Sequence, residues 1–224
     1  MNEESSGGPP DEPTDKRLLR GARTRGLILR RAVDVASLDG LDGLSFGRLA
    51  TDTGLSKAGV QTLFRTKETL QLAAIDHARD MFVAAVIAPA RGEPRGVPRL
   101  RAIVEQWIAY AAAPLFAGGC FRAATMTEFD SHPGPIRDAL LRDQRDWRTI
   151  LANQFRHALA AGDIEDLDPE LAAFQLDAVL LAANTALRLG DSDVVYQVQR
   201  TLDQLLRPGD RTATAEIRLS PGTP

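Results

Sequence analysis

The chain has 224 residues, of which 44% are hydrophobic and 25% charged, and these values are typical of a soluble globular protein with one or two domains. No apolar run approaches the ~20 residues that span a bilayer, and the acidic, polar start is not a signal peptide. A single cysteine excludes a disulfide within the chain, so we expect a cytoplasmic protein without membrane contact. The three scattered histidines predict neither a metal site nor a cofactor.

The net charge of −3 conceals an uneven distribution along the chain. Residues 16–79 contain twelve basic and six acidic residues, and residues 16–31 contain seven basic residues and no acid. A basic N-terminal third on an acidic remainder indicates an anionic partner for that third. A solvated charged helix explains the charge alone equally well, so the interpretation needs support from a motif.

Hydrophobic spacing predicts helices almost throughout and no set of paired strands. Residues 1–21 are rich in Gly, Pro, Ser and acidic residues, which predicts a disordered arm. Four helices follow, and three of them have a Ser or Thr cap. Their predicted ranges are 22–38, a short helix from the cap Ser45 to about Asp52, 57–64 after the cap Ser56, and Lys67 to about Ala88 after the cap Thr66.

Five further helices are predicted in the second half, followed by a flexible tail at 208–224. One of them starts at Pro169, because proline suits the first helical position and Asp168 before it suits the cap. The predicted ranges are about 98–112, 120–130, a long helix opened by Pro133 and Pro135, 169–189 and 192–206. The predicted fold is therefore all-α with about nine helices.

The second and third helices are each about two turns long and are joined by three residues that include Gly54. This is the layout of a helix-turn-helix motif, whose second helix enters the major groove of DNA. Gly59 costs that helix about 1 kcal/mol relative to alanine, and Lys67 opposes the macrodipole at the start of the next helix. Both residues are explained if this surface rests on DNA, since phosphate favours a cation beside free N–H groups. The alternative is a short polar helix that is merely solvated.

The segment "LSFGRLATDTGLSKAGVQTLFRTKETL" resembles the DNA-binding domain of TetR-family transcriptional regulators. The resemblance rests on L-S-x-x-x-L-A, T-G-L-S-K, a phenylalanine three residues before Lys67, and K-E-x-L, and it extends over residues 22–70. Gln61 and Leu63 stand where many members carry aromatic or histidine residues, which changes the expected operator preference but not the expected DNA binding. The residues expected to contact DNA are Ser45, Arg48, Ser56, Lys57, Gly59, Gln61, Thr62 and Lys67.

The resemblance implies a ligand-responsive regulator, most often a repressor, that binds a palindromic operator in double-stranded DNA as a homodimer and is released by a small molecule. A second segment, "GGCFRAATMTEFDSHPGPIRDAL", resembles a C-terminal domain found in one branch of the family. The expected domains are an N-terminal arm at 1–21, a three-helix helix-turn-helix DNA-binding domain at 22–68, a helical effector-binding and dimerisation domain at 69–207, and a tail at 208–224.

The helix at 169–189 is rich in alanine and has apolar residues on more than one face. One face must pack on its own domain, so the other is expected to pair with helix 192–206 across a two-fold axis as a four-helix bundle. In the alternative, both helices are internal to one protomer. The residues expected at the dimer interface are Phe174, Leu181, Val195, Val198, Leu202 and Leu205.

Large apolar side chains with a few polar groups among them are typical of a small-molecule site, and the middle helices carry such a set. Each member on its own is better explained as core. Thr125 and Asn184 are the stronger indicators, since a polar group on an apolar face needs a partner. The candidate pocket residues are Trp107, Tyr110, Phe116, Phe121, Thr125, Phe129, Trp147, Phe155 and Asn184.

Other functions stay open at this point. An all-helical enzyme is disfavoured because the sequence has no paired acid and base, nucleophile motif, phosphate loop or metal spacing. A DNA-binding regulator without a small-molecule effector, or an activator, is the main alternative to a ligand-responsive repressor. A closed cavity in the larger domain would favour the ligand-responsive regulator, and a solid core would favour the regulator without an effector.

Overall fold

In the computed structural model, which describes residues 12–207, every regular element is a helix. The predicted arm at 1–11 and the predicted tail at 208–224 lie outside the described residues. The helices are α1 (Glu12–Asp39), α2 (Phe46–Thr53), α3 (Lys57–Phe64), α4 (beginning as Lys67–Phe82), α5 (Val97–Ala112), α6 (Phe121–Phe129), α7 (Pro135–Ala161), α8 (Pro169–Arg188) and α9 (Val194–Leu205). Helix α4 continues through a π-helical segment, Val83–Ile87, to a last turn, Ala88–Ala90. Nine helices over the described residues confirm the predicted fold.

The start of α1 corrects the prediction for the N-terminal arm. The helix begins at Glu12, so residues 12–21 are helical and not a disordered arm. Proline is tolerated in the first turn of a helix, and Pro13 occupies the second position of α1. The chain beyond it is rich in arginine and leucine, which are good helix formers. Leu18 and Leu19 are exposed, so this end of the helix extends away from the core.

Side-chain caps and one glycine define the short helices of the N-terminal domain. The side-chain oxygens of Ser45, Ser56 and Thr66 each accept a hydrogen bond from the backbone N–H three residues later, at 3.1, 3.0 and 3.0 Å. Gly54 ends α2 with a φ of 69°, a conformation that favours glycine. Ser45 and Gly54 set the start and the end of α2, and Ser56 and Thr66 set the starts of α3 and α4, as the sequence predicted.

The inner faces of α2 and α3 pack against α1 and α4. The buried side chains of this small core are Ile28, Ala32, Val35, Leu49, Ala50, Val60, Phe64, Leu70 and Ala74. Because Val60 and Phe64 lie four residues apart, one face of α3 is committed to the core. The opposite face of α3 is therefore turned to solvent.

The larger domain is built around α7 and α8, and α9 covers one side of α8. Helix α4 packs on α1 at one end and on α7 at the other, so it belongs to both domains. Helix α6 similarly packs on both α1 and α7. Two helices therefore connect the N-terminal domain to the interior of the larger domain.

The packing of α9 corrects part of the predicted dimer interface. Val198 and Leu202 are 0% and 3% exposed, because the apolar stripe of α9 packs inward on α8 of its own chain. These two residues belong to the core of one protomer. Phe174 is exposed, and the remaining predicted interface residues are half-buried, namely Leu181, Val195 and Leu205.

Gly118 lies where the loop between α5 and α6 crosses the end of α1. Its N–H donates to Ser37 Oγ at 2.8 Å, and a Cβ at this position would lie 1.9 Å from the carbonyl oxygen of Ser37. The clash would be with backbone atoms of Ser37 and Leu38, which cannot move away without distorting α1. We expect Gly118→Ala to lower the free energy of unfolding by about 1–3 kcal/mol, measured by urea denaturation. Gly92→Ala is the control, since nothing lies within 4 Å of its added Cβ; an equal loss in both variants would contradict the proposed clash.

Candidate nucleic-acid interface

The outer face of α3 carries polar groups that are available to a ligand. Its exposed residues are Lys57, Ala58, Gly59, Gln61, Thr62 and Leu63. Within residues 12–207, the ammonium of Lys57 and the amide of Gln61 have no hydrogen-bond or ion-pair partner. Thr62 Oγ1 donates to the carbonyl oxygen of Ala58 at 2.8 Å, which leaves its oxygen as an acceptor. Such groups can contact base edges and phosphates in a major groove.

Gly59 is not required by packing within the chain. A Cβ added at Gly59 would meet only Ser56 Oγ, at 3.0 Å, and would otherwise point into open space. Ser56 itself caps α3 by accepting from the N–H of Gly59. The glycine therefore leaves the backbone of α3 open to an external surface, and its contact with DNA stays a prediction.

Arg48 lies in a network of ion pairs at the edge of the motif. Its Nη1 is 2.6 Å from Asp39 Oδ2, and its Nε is 4.0 Å from Asp52 Oδ2. Arg31 reaches the same oxygen of Asp52 at 2.8 Å. These pairs position α2 on α1, so Arg48 has an intramolecular role in addition to the predicted contact with DNA.

Lys67 is held over the loop between α1 and α2. Its Nζ donates to the carbonyl oxygen of Asp42 at 2.7 Å and lies 3.3 Å from Asp42 Oδ1. The side chain keeps about half of its exposure, at 47%. These contacts with Asp42 partly offset the cost of a cation at the start of a helix, and the sequence did not predict them. The ammonium of Lys67 remains accessible to phosphate.

Two further side chains, which were not predicted, also hold the loop between α1 and α2. Glu128 of α6 accepts hydrogen bonds from the N–H groups of Leu41 and Asp42, both at 2.7 Å. Gln71 of α4 is buried and donates to the carbonyl oxygen of Leu41 at 3.0 Å. We call the loop at 40–42 with these partners the loop clamp. A buried glutamine on a helix that otherwise presents apolar residues to the core is the signal that could have indicated Gln71.

Three of the predicted DNA contacts come together beside the loop clamp. Ser45, Lys57 and Lys67 line a groove of about 440 Å³, which also includes the start of α2. The free N–H groups of that helix end favour an anion, and the two lysines add positive charge. Gln61 and Thr62 do not line this groove and lie on the outer face of α3.

Arg65, which was not predicted, joins α3 to α4 in an unusual conformation. It has a φ of 60°, which is uncommon for a residue other than glycine. Its N–H donates to the carbonyl oxygen of Gln61 at 2.7 Å, and its side chain is exposed. Strained backbone of this kind clusters at functional sites, and here it places a third cation next to α3.

In the larger domain the predicted pocket residues separate into two groups. Tyr110, Phe116 and Phe121 line a cavity of about 10 Å³, which has room for roughly one water molecule. Trp147 lines a neighbouring cavity of about 30 Å³. The other predicted residues do not line either cavity, namely Trp107, Thr125, Phe129, Phe155 and Asn184.

The two polar residues expected to face a ligand are satisfied by the backbone instead. Thr125 Oγ1 donates to the carbonyl oxygen of Phe121 at 2.9 Å. Asn184 Oδ1 accepts from the N–H of Cys120 at 3.2 Å. Each of these two side chains therefore has a hydrogen-bond partner within the chain, and neither lines a cavity.

A charged cluster that was not predicted lies between the two cavities. Arg122 is 7% exposed, and its Nε donates to Asp143 Oδ2 at 2.9 Å. Its guanidinium lies over the rings of Phe82 and Trp147, at 5.0 and 5.7 Å from their centroids. Arg79 of α4 pairs with Asp146 at 2.6 Å at the surface of this cluster. An arginine in the first turn of an otherwise apolar helix start was the available signal.

Burial and neighbouring groups shift the pKa values of three side chains. Burial opposes the charge of Arg122, but Asp143 and its hydrogen bond outweigh this and raise the pKa of Arg122, which stays charged. Burial, followed by the adjacent Cys120 thiol, raises the pKa of Tyr110 and keeps its hydroxyl protonated. Burial and then Arg30 lower the pKa of His77, so this imidazole is neutral at neutral pH.

Comparison with known proteins agrees with this architecture. Residues 96–202 match the family model described as Tetracyclin repressor-like, C-terminal domain. A TetR transcriptional regulator from Chloroflexus aurantiacus J-10-FL is similar in structure, with a TM-score of 0.74 and 23% identity over 84% of this chain and 94% of that one. No curated protein in the comparison matches the chain.

Two other similar structures carry functional descriptions of their own. AibR, solved in complex with isovaleryl coenzyme A and operator DNA, has a TM-score of 0.67 and 22% identity over 82% of this chain and 99% of that one. The reduced form of NemR from E. coli has a TM-score of 0.71 and 17% identity over 84% of this chain and 99% of that one. Likenesses at this identity show the fold.

The loop clamp predicts that a residue of the larger domain affects the DNA-binding motif. We expect Glu128→Ala to leave two loop N–H groups without an acceptor and to destabilise the loop by about 1–3 kcal/mol. Hydrogen exchange at Leu41 and Asp42 should become faster, and affinity for duplex DNA should fall. Asp130→Ala is the control, since that exposed carboxylate bonds only its neighbour Ser131 among the described residues. Unchanged exchange at the two loop amides would contradict the clamp.

Proposed function

Since the chain belongs to the TetR family of transcriptional regulators, we propose that it is a homodimeric repressor that binds a palindromic operator and is released by a small molecule. Regulation of transcription through DNA binding is the activity of this family, and its members are not enzymes. The observation that carries the proposal is the outer face of α3, where Lys57 and Gln61 are exposed and have no partner within residues 12–207. Its place of action would be the cytoplasm, where bacterial DNA lies.

The charges around α3 support contact with the DNA backbone. Lys57, Arg65 and Lys67 are exposed and surround the short recognition helix. Phosphate contacts from such residues set the position on the duplex, and Gln61 and Thr62 are the groups suited to base edges. Glutamine pairs well with adenine, so an A·T pair is the expected partner of Gln61 in each half-site.

The uncovered face of α8 supports a homodimer. Among the described residues, α8 is the one helix long and apolar enough to span a membrane by length and composition, with a mean hydropathy of 1.2, and a core helix passes the same test. Only 39% of that window is buried within one protomer. Leu171 and Phe174 are 54% and 49% exposed on this face, and Tyr196 of α9 is also exposed. A second copy of the same face would cover these side chains.

A dimer of this kind sets the distance between two recognition helices. Half-sites on one side of B-DNA lie about 34–36 Å apart, so only one arrangement of the protomers fits a palindrome. A ligand that binds another arrangement better shifts the population away from DNA. Helix α4 supports a connection between such a ligand and the DNA-binding surface. Its residues Arg79 and Phe82 line both cavities of the larger domain, and it begins at Lys67, which lines the groove beside α3.

A regulator without an effector is the second candidate, because the cavities of about 10 and 30 Å³ leave the core closed. A gel shift on the DNA upstream of the protein's own gene, repeated with a compound library, separates the two. Release by any compound supports the effector, and release by none favours the second candidate.

The cations around α3 give a prediction about salt. We expect Lys57→Ala and Lys67→Ala to weaken binding to operator and to unrelated duplexes alike, because each lysine neutralises a phosphate. The slope of log K against log salt concentration should fall by about 0.9 for each lost contact. Fluorescence anisotropy over a salt titration measures both quantities.

The control for these variants is Arg95→Ala, which removes an exposed cation in the loop before α5, away from the DNA-binding motif. It should leave affinity and slope unchanged. A lysine variant with the wild-type slope would show that this lysine does not contact phosphate. Gln61→Ala should behave differently from the two lysine variants, because it should weaken operator binding more than binding to unrelated DNA.

The α8 face gives a prediction about assembly. We expect Leu171→Glu to raise the dimer dissociation constant at least ~10-fold, because the charge would be buried without a partner. Sedimentation equilibrium measures this constant, and operator affinity should fall with it. Leu141→Glu, which changes a comparably exposed leucine on α7, is the matched control. Equal behaviour of the two variants would place the interface elsewhere.

A further inference from the structure

The N-terminal part of α1 projects beyond the helix-turn-helix motif. The helix begins at Glu12 and passes the end of α3 at Arg25, whose guanidinium lies 5.2 Å from the centroid of the Phe64 ring. Residues 12–24 therefore continue past α3 for about 20 Å at the rise of an α-helix, and we call them the α1 extension. None of its described side chains is buried. Nothing lies within 4 Å of a Cβ added at Gly21, so the surface around it is open.

A row of cations follows one side of α1 and its extension. Lys16, Arg20, Arg23 and Arg30 are exposed, and their spacing of four, three and seven residues places them on the same side of the helix. The buried Ile28 lies on the other side. We call these four cations the basic row, which is about 21 Å long. Within residues 12–207, the side chains of Arg20, Arg23 and Arg30 have no hydrogen-bond or ion-pair partner.

The basic row destabilises its own helix in the free protein. Residues 16–31 contain no acid, so the row has no neighbour of opposite charge along that stretch of the helix. Lys16 and Arg20 are four residues apart, Arg20 and Arg23 are three apart, and like charges at these spacings cost a helix about 0.2–0.5 kcal/mol per pair. A helix face that is only solvated commonly alternates the sign of its charges. The row therefore favours a polyanion over water as its surroundings.

The α1 extension leads away from the domain that is proposed to dimerise. The other end of α1 contacts the larger domain, because Ser37 Oγ accepts from the N–H of Gly118 at 2.8 Å and Asp34 Oδ1 accepts from the N–H of Ala117 at 3.4 Å. The helix is continuous from Glu12 to Asp39, so its N-terminal end lies at the far side from these contacts. This direction favours DNA outside the palindrome over DNA between its two half-sites.

We propose that the α1 extension is a second DNA-contact surface, in which Arg20 and Arg23 bind phosphates of the duplex that flanks each half-site. B-DNA carries one negative charge per about 1.7 Å of its axis, so the basic row faces a continuous series of phosphates. Such contacts do not depend on sequence and fix the position of the protein on the duplex. This inference rests on the proposed function, and it adds flanking DNA to the site that the protein needs.

The test is fluorescence anisotropy on the full chain at about 0.1 M salt. Its probes are the palindrome that the full chain selects from random duplexes, alone and with one turn of arbitrary sequence, about 10 base pairs, added at each end. We expect wild type to bind the flanked duplex at least ~10-fold more tightly than the bare palindrome. Arg20→Ala combined with Arg23→Ala should lower affinity for the flanked duplex by at least ~10-fold and its salt slope by about 1.8, and should leave affinity for the bare palindrome unchanged.

Arg95→Ala combined with Arg142→Ala is the matched control, since it removes two exposed cations that lie outside α1 and changes the net charge equally. This control should keep the wild-type preference and slope. An equal loss in both double variants would assign the effect to overall charge and overturn the proposal. Wild-type preference in the Arg20 and Arg23 variant would overturn it as well, and so would equal binding of the two duplexes by wild type.

Arg20→Lys combined with Arg23→Lys keeps both charges, so it should keep the preference for the flanked duplex. Loss of that preference would overturn the assignment to phosphate. Both pairs of substitutions keep good helix formers at exposed positions, so the fold is retained.

Wild type distinguishes the two levels of inference. If it selects a palindrome but gains nothing from flanking DNA, the proposed function stands and the α1 extension is not a contact surface. If it binds no duplex DNA even at low salt, the proposed function fails and this inference fails with it.

Discussion

The loop clamp is the interaction on which the rest of the arrangement depends. In the loop between α1 and α2, Leu41 and Asp42 present two N–H groups and two carbonyl oxygens, and side chains from α4 and α6 satisfy all four. The start of α2, and with it the orientation of α3, follows from where this loop is held. Gly40, with a φ of 76°, is needed because a Cβ would lie 2.6 Å from Glu128 Oε2. The DNA-binding motif is therefore positioned by the larger domain as well as by its own core.

Helix α6 connects the clamp to the charged cluster over a short distance. Arg122 and Glu128 are six residues apart, about 9 Å along a helix, so one rigid element carries the buried guanidinium and the carboxylate that grips the loop. Helix α4 also joins the charged cluster to the loop clamp, because it carries both Arg79 and Lys67. Under the proposed ligand-responsive function, a ligand that altered the packing around Arg122 would act on both helices together, through packed elements that continue to the loop clamp. No contact between the ligand and the motif is needed.

The predictable part of the structure is the part that local rules determine. Ser45, Gly54, Ser56 and Thr66 could be assigned because a cap or a positive φ involves neighbours within a few residues. Glu128 could not, since the groups it holds lie 87 and 86 residues earlier in the chain. The prediction that Val198 lies at the dimer interface was wrong for a related reason. Periodicity identifies the apolar face of α9, but not whether the same chain or a second copy covers it. Arg122 was missed because an isolated arginine is normally a surface residue.

The cost of the charged cluster bears on what the larger domain is for. A buried ion pair is often no more stabilising than apolar residues of the same size, and breaking one is strongly destabilising. Asp177 shows how the same core satisfies a buried carboxylate when the role is structural, since it accepts from Gln144, Trp147 and Arg148. Arg122 stands in contrast, with one acceptor among the described residues and aromatic rings on either side. The carboxylate of Asp143 and the rings of Phe82 and Trp147 offset the cost of burying Arg122, so polar and aromatic contacts within one chain close this part of the core.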